Sequence, residues 1–448
     1  MCNQANVQVG YARTDISPLE SVPLRGYGST SNRMSTHVLD PLYATCLAMS
    51  DDTGKTVLLY GLDLIAPSTP WETTIVSAIS EATGIPEDHI FASGTHTHSG
   101  PDMENPDEPS IPRYVEHFKL QAIRAAQLAL ADRKPAQLFG TSVQTQMLNF
   151  VRRFILQDGS PAGDNYGPWG TSPISHHETE ADHCMQLLKF VREGGSDIII
   201  ANFQGHPQRV GINKELYYKV SADIVGVMRT EMEWRTGCRF LYFTGGSGNV
   251  NPFSRVLKER FYSNHLDHGK AMAAAAYSVL DNFRPLKLGA IKTDWVTLDC
   301  PTDHTQDHRV KDALYIHEKF RTFGNRWDWE PEAQRLGFHS VYHAGFVVAK
   351  SKRPETVPVT LRSLSVGDVA FALAPYEMFD TNGMQIKEGS PFAMTMVLTC
   401  ANGANRGYVP SALGFANGGY SVDSCWFLPG AGERFADELI AGLKRMHE

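Results

Sequence analysis

The stretch from Val57 to His96 constrains the fold more than any other part of the chain. VLLYGLDLIA (Val57 to Ala66) is an apolar run of strand length. TPWETTIVSAISEATG (Thr69 to Gly84) opens on a Thr cap followed by Pro and closes on Gly, as a helix does, and HIFASGTH (His89 to His96) is strand-like again. Strand, helix and strand in succession build a mixed or parallel sheet covered by helices. The pattern returns further on: DIIIANF (Asp197 to Phe203) is a fully apolar strand, Val220 to Thr236 has helical spacing, and Phe240 to Thr244 is a short strand. Tyr114 to Asp132 also has the helical period. Beyond Thr356, VPVTLRSLSVGDVAFALAP reads as strands, followed by a helix from Glu377, a strand from Phe392 to Cys400, a glycine-rich loop and a closing helix from Gly432 to Met446. The fold class is therefore α/β, a mixed sheet covered by helices. Gly159 to Pro173 and the aromatic Asn325 to Pro331 read as loops.

Composition narrows the function classes. A net charge of −8 with no long single-sign run excludes a nucleic-acid footprint and a polybasic membrane patch. The longest uncharged helical run, Ala271 to Leu280, is about half of the roughly 20 residues a membrane span needs. Seven cysteines, widely scattered and without a CxxC pair, make neither a disulfide framework nor a thiolate zinc ribbon. With no basic start leading into an apolar stretch, the expectation is a cytoplasmic chain acting on a small-molecule substrate, with no stable membrane insertion.

Three positions follow apolar strands, where side chains of open α/β sheets face the ligand crevice. GTHTHSGPD places His96 and His98 two apart, which on an extended backbone turns both to one face. Seventeen histidines in 448 residues make such a pair unremarkable by spacing, so position carries the argument. In FQGHPQRVG, His206 stands past the end of the second apolar strand. In LAPYEMFDTNG, Glu377 follows Val369 to Ala374; a first-turn acid favoured by the helix dipole is its bland explanation. Two histidines and one carboxylate, with a position left for water, are the protein ligands of a hydrolytic zinc. His98, facing the same way as His96, is then a candidate acid or base. Asp63, at the end of its strand, is a candidate to orient a ligand histidine.

Other constellations fall away. His339 and His343 lie one helical turn apart, as do His304 and His308, but neither pair has the Glu of HExxH. HHETEADH (His176 to His183) reads as a solvated loop. TGGSGNVNP (Thr244 to Pro252) lacks the GK[ST] of a phosphate loop and reads as a tight turn after a strand.

GYARTDISP, PLRGYG, DPLYA, SGTHTHSGPD, NFVRRFILQDG, NFQGHP, GGSGNVNP, APYE, and GYVPS followed by GGY together resemble, in order and spacing, the catalytic domain of the neutral (alkaline, non-lysosomal) ceramidase family. The resemblance implies one zinc per chain on His96, His206, Glu377 and Tyr408, with Arg152 facing the substrate (Arg153 if the register slips by one) and Tyr420 as an oxyanion donor. It also implies a single large catalytic domain over residues 1–448, the family's C-terminal β-sandwich being absent. Where the family reads GDVSP this chain has GNVNP, which puts Asn251 in place of a Ser, and APYE replaces a PGE-like turn. The expectation is therefore a zinc-dependent hydrolase cleaving an amide (N-acyl) bond of a soluble small substrate, its compact pocket walled by Trp169, Trp327 and Trp329. A zinc-dependent esterase or lactonase, and a non-catalytic metal-dependent binding protein, are the alternatives.

Overall fold

The computed structural model describes residues 7–27, 33–164, 172–257, 262–323, 326–403 and 407–448. Among these, nine strands form one sheet. Eight follow the order Arg239–Thr244, Ile198–Phe203, Cys184–Arg192, Lys134–Gln144, Gln8–Asp15, Tyr43–Ser50, Thr56–Leu62, Ile90–Gly94, and Arg284–Leu286 pairs with Lys134–Gln144 off this path. Most neighbours are antiparallel, but the two strand, helix, strand units read from the sequence are the parallel pairs. Thr56–Leu62 runs beside Ile90–Gly94, and Ile198–Phe203 beside Arg239–Thr244. A four-stranded sheet, Ile291–Pro301, Thr356–Val366, Val369–Leu373 and Met394–Leu398, repeats the device: its last two strands are parallel, joined through the helix Asp380–Gly389.

The mixed sheet is thus present, and a second sheet lies against it. Val9, Leu47, Leu59 and Phe243 of the first share a core with Leu364, Val369 and Phe371 of the second. This explains why Val369–Leu373 reads as an unbroken apolar run, for it is buried on both faces. Helices close the outsides. Ser110–Ala131 and Val76–Thr83 cover part of the first sheet and Asp223–Thr236 with His265–Tyr277 another, while Ala431–His447 and Asp380–Gly389 cover the second. Among the described residues no helix is long and apolar enough to cross a membrane.

Three local expectations are corrected. Glu377 does not open a helix: Glu377–Met378 is a two-residue strand paired with Tyr408–Val409, and the helix starts at Asp380. Thr69 does not cap its helix, because its hydroxyl and backbone N–H both donate to Glu104, and the turn Trp71–Ile75 is wound as a π-helix around the buried Trp71. The loop expected over Asn325 to Pro331 is helical from Arg326 on, in Arg326–Arg335, while Asn325 lies outside the described residues. Trp329 and Ala333, one turn apart, pack into a core shared with Val310–Phe323 and Val341–Ser351, and that burial overrides the irregular local sequence. Trp329 is thus held by this small helical core. Trp169 and the Trp327 side chain lie outside the described residues.

Candidate metal centre

Parallel strands bring the candidate residues together because all of their carboxyl ends point one way. Ile90–Gly94 leads into His96, Ile198–Phe203 into His206, Val369–Leu373 into Glu377 and Met394–Leu398 into Cys400. The two sheets are stitched at this edge. Ser93 Oγ donates to Thr399 O (2.9 Å), Thr399 N to Thr244 O (3.1 Å) and Thr244 Oγ1 to Thr95 O (2.7 Å). His96, Tyr376 and Cys400 all have left-handed backbone, with φ of 66°, 70° and 50°. Each such non-glycine residue costs on the order of 1 to 3 kcal/mol, and strain of this kind gathers where geometry serves chemistry.

The hydrogen bonds assign the tautomers. His96 Nδ1 lies 2.7 Å from Ile65 O and His206 Nδ1 2.9 Å from Val250 O; a carbonyl only accepts, so both Nδ1 atoms carry the proton and both Nε2 atoms present lone pairs. Glu377 Oε2 sits 3.0 Å from His206 Nε2 and 3.3 Å from His96 Nε2. Two lone pairs and a carboxylate converging in a buried space are an acceptor set that calls for a cation. Their proton affinities record the same frustration. Burial opposes charge on His96, yet Cys400 and Glu377 raise it well above the ordinary value. Burial would raise Glu377, but the two histidines hold it well below the ordinary carboxylate range. His206, buried and facing Arg152, is lowered to about 4. The donor set and tautomers fit zinc.

His98 is buried with its Nε2 3.3 Å from that of His96, and the three histidines form one cluster. Its N–H donates to Pro207 O (3.1 Å), its carbonyl accepts from Arg33 Nη1 (2.6 Å), and its ring meets Tyr27 edge-on at 5.2 Å. Its Nδ1 is buried without a hydrogen-bond partner, so unlike the other two it has no carbonyl fixing its tautomer. Burial, then the charges of His96 and His206, lower its proton affinity well below the ordinary value.

Of the two arginines in NFVRRF, Arg152 is the one at the site. Its Nη2 donates to Gly248 O (2.8 Å), its Nε lies 3.8 Å from Asp164, and its guanidinium stands 5.1 Å from the centre of the Tyr408 ring. Arg153 turns away into a buried pair with Glu178 (2.8 Å). Tyr408 is in register with Glu377 and edge-on to Tyr420 at 5.7 Å. Burial holds the Tyr408 phenol well above its ordinary value despite Arg152. Asn251 Oδ1 accepts from Gln208 Nε2 (2.6 Å). Asp63 does not orient a histidine: its carboxylate is taken by Arg229 (2.7 Å) and Tyr43 N (2.9 Å), and Ile65 O does that service for His96.

The glycine-rich turn after Thr244 is a packing device. A Cβ on Gly248 would lie 2.4 Å from Glu377 O, and Gly248 N donates to Met378 O (2.9 Å). Gly248→Ala is therefore expected to push the Glu377 strand aside and destabilise the fold by about 1 to 3 kcal/mol, with a measurable loss of metal affinity by competitive chelator titration; unchanged affinity would contradict this packing role.

Sequence reasoning missed Cys400, whose Sγ lies 3.3 Å from His96 Nδ1. The strand-end rule that found His206 applies to it equally. A second cluster, His339, His343 and Asp423, is not equivalent. His343 Nδ1 accepts from His339 N (3.1 Å), which leaves its Nε2 protonated and donating to Gln306 Oε1 (3.1 Å), so neither nitrogen is free for a metal.

No protein-family model and no curated protein matches this sequence. Among solved structures, the chain is similar to a neutral ceramidase from Pseudomonas aeruginosa (TM-score 0.73, 15% identity, covering 99% of this chain and 75% of that one). It is likewise similar to a ceramidase complexed with C2 (TM-score 0.72, 15% identity, covering 99% of this chain and 75% of that one). The fold is neutral ceramidase-like.

Proposed function

We propose that this chain is a zinc-dependent hydrolase that cleaves the amide bond of a small N-acyl substrate more soluble than ceramide. The observation that carries the reading is the pair of imidazoles, each made to present Nε2 by a backbone carbonyl behind it, converging on Glu377 with Arg152 alongside. The likeness in fold to ceramidases supports amide chemistry. His96, His206 and Glu377 would hold the metal, with Tyr408 next to them as the fourth ligand the motif resemblance implies. Bound there, zinc supplies a Lewis acid and a water of lowered pKa.

The chain's own groups do the rest. Arg152, kept charged by Tyr408, Asp164 and Glu377 against the cost of burial, attracts the carbonyl oxygen as negative charge grows on it. Tyr420, edge-on to Tyr408, is the second donor that the motif resemblance implies. His98, neutral when the site is ready, takes a proton from the attacking water and passes it to the leaving nitrogen as the C–N bond breaks. Elemental analysis of active protein should give one zinc per chain, and chelation should abolish amide hydrolysis; stoichiometric metal with no turnover of amides or esters would instead favour a binding protein.

Asn251 shapes the choice of substrate. Its side-chain carbonyl is occupied by Gln208, so it offers the pocket only an amide donor, in a space where a serine would be smaller and bring a hydroxyl. Long-chain ceramide is expected to be turned over at least about a hundredfold more slowly than short, water-soluble N-acyl compounds under the same zinc-replete conditions. Comparable rates would refute the role given to Asn251.

A further inference from the structure

The three helices Val310–Phe323, Arg326–Arg335 and Val341–Ser351 hold one another through a core that includes Ala313, Ile316, Ala333 and Val347. Phe346, half-buried on the last of them, is not part of that core. Its ring lies 5.7 Å from Tyr420, which lies 5.7 Å from Tyr408, the register partner of Glu377. The same helix is fastened to the element that bears Tyr420. His339 Nδ1 is 3.0 Å from both oxygens of Asp423, the last residue of the short helix Tyr420–Asp423, and His343 Nε2 is 3.8 Å from one of them.

Tyr342, one turn before Phe346, packs against that core instead, its ring edge-on to Phe320 at 5.4 Å. Through Phe346 the helix therefore reaches the aromatic rings that lead to Tyr408. The joint is made by the His339–Asp423 pair, and beside it the rings of Phe346 and Tyr420 pack on one another. A substrate carbonyl held at Arg152 and Tyr420, as in the reading above, would place a chain that passes Tyr420 next to Phe346.

We propose that this side of the helix, with Phe346 at its centre, is the wall that receives the acyl chain of the substrate and limits its length. The proposal rests on the amide-hydrolase reading above, and it names residues outside the metal centre as the determinants of specificity. The test compares zinc-loaded wild type, Phe346→Ala and Tyr315→Ala, the last on the exposed side of Val310–Phe323. Substrates are the p-nitroanilides of acetic, hexanoic and dodecanoic acids.

Phe346→Ala is expected to raise the dodecanoyl to acetyl ratio of kcat/KM by about tenfold or more, with zinc content unchanged, while Tyr315→Ala keeps the wild-type ratio. A Phe346→Ala ratio within about twofold of wild type overturns the wall. If wild type holds zinc and hydrolyses none of the anilides, it is the amide-hydrolase reading that fails. Calorimetric titration with hexanoate and dodecanoate then decides the wall by itself: a preference for dodecanoate increased about tenfold in Phe346→Ala supports it, and an unchanged preference overturns it.

Discussion

His206→Ala is expected to lose zinc and turnover together, whereas His98→Ala keeps zinc and loses turnover alone. His206 Nε2 is 3.0 Å from Glu377 and its Nδ1–H is committed to Val250 O, so alanine deletes one of three converging donors. Zinc per chain should fall to near zero, and kcat/KM by on the order of 10⁴ or more, since the activation of water goes with the metal. His96→Ala should behave in the same way. His98 lies 3.3 Å from His96 but has no carbonyl presetting its tautomer, as a proton carrier requires and a fixed ligand does not. Its removal is expected to cost about 10² to 10⁴ in kcat at full metal occupancy. Metal analysis of the dialysed variants reads the outcome. An empty site in His98→Ala would make it a third ligand and move the acid–base role elsewhere.

Arg152→Met should be both unstable and inactive, and the two effects can be separated. Arg152 is buried beside the wholly buried Asp164, whose carboxylate also accepts from Ser421 N (3.0 Å) and Ser421 Oγ. Removing the cation strands a buried anion, at about 3 kcal/mol or more, read as a lowered denaturant midpoint. Arg152→Met with Asp164→Asn removes both charges and is expected to recover most of that stability. Activity should not return, remaining about 10² to 10³ below wild type, because the group that meets developing charge on the carbonyl oxygen is still missing. A double variant regaining both would show that Arg152 acts only by holding Asp164 and the Tyr420–Asp423 helix that Ser421 belongs to.

Some of this was legible in the chain alone because it depends on neighbours in sequence. An apolar run, a helical period ending on Gly84 and a second apolar run specify a parallel pair locally, and the pair is found. Once strands are parallel, the residues after them emerge at one edge, so His96, His206 and Glu377 could be named from position although 281 residues separate the first from the last. The same rule stopped short of Cys400 only because a cysteine at a strand end carries no motif.

What only the tertiary structure decided concerns contacts between segments far apart in the chain. Arg152 and Arg153 are equivalent in sequence, and the partners that separate them, Gly248 and Asp164 against Glu178, come from other segments of the chain. Asp63 looked like a histidine's support until Arg229 claimed it. Asn325 to Pro331 has loop composition, but Trp329 and Ala333 bury against two other helices, and the apolar area gained outweighs weak local propensity. The carbonyls that set the tautomers of His96 and His206 are backbone atoms of Ile65 and Val250, invisible in any pattern of side chains. Periodicity and turn chemistry thus determined the strands and the edge where the candidate residues meet. Long-range packing decided which nitrogen, which arginine and which helix face that edge, because those choices are made by burial and hydrogen bonding between parts of the chain that local sequence does not relate.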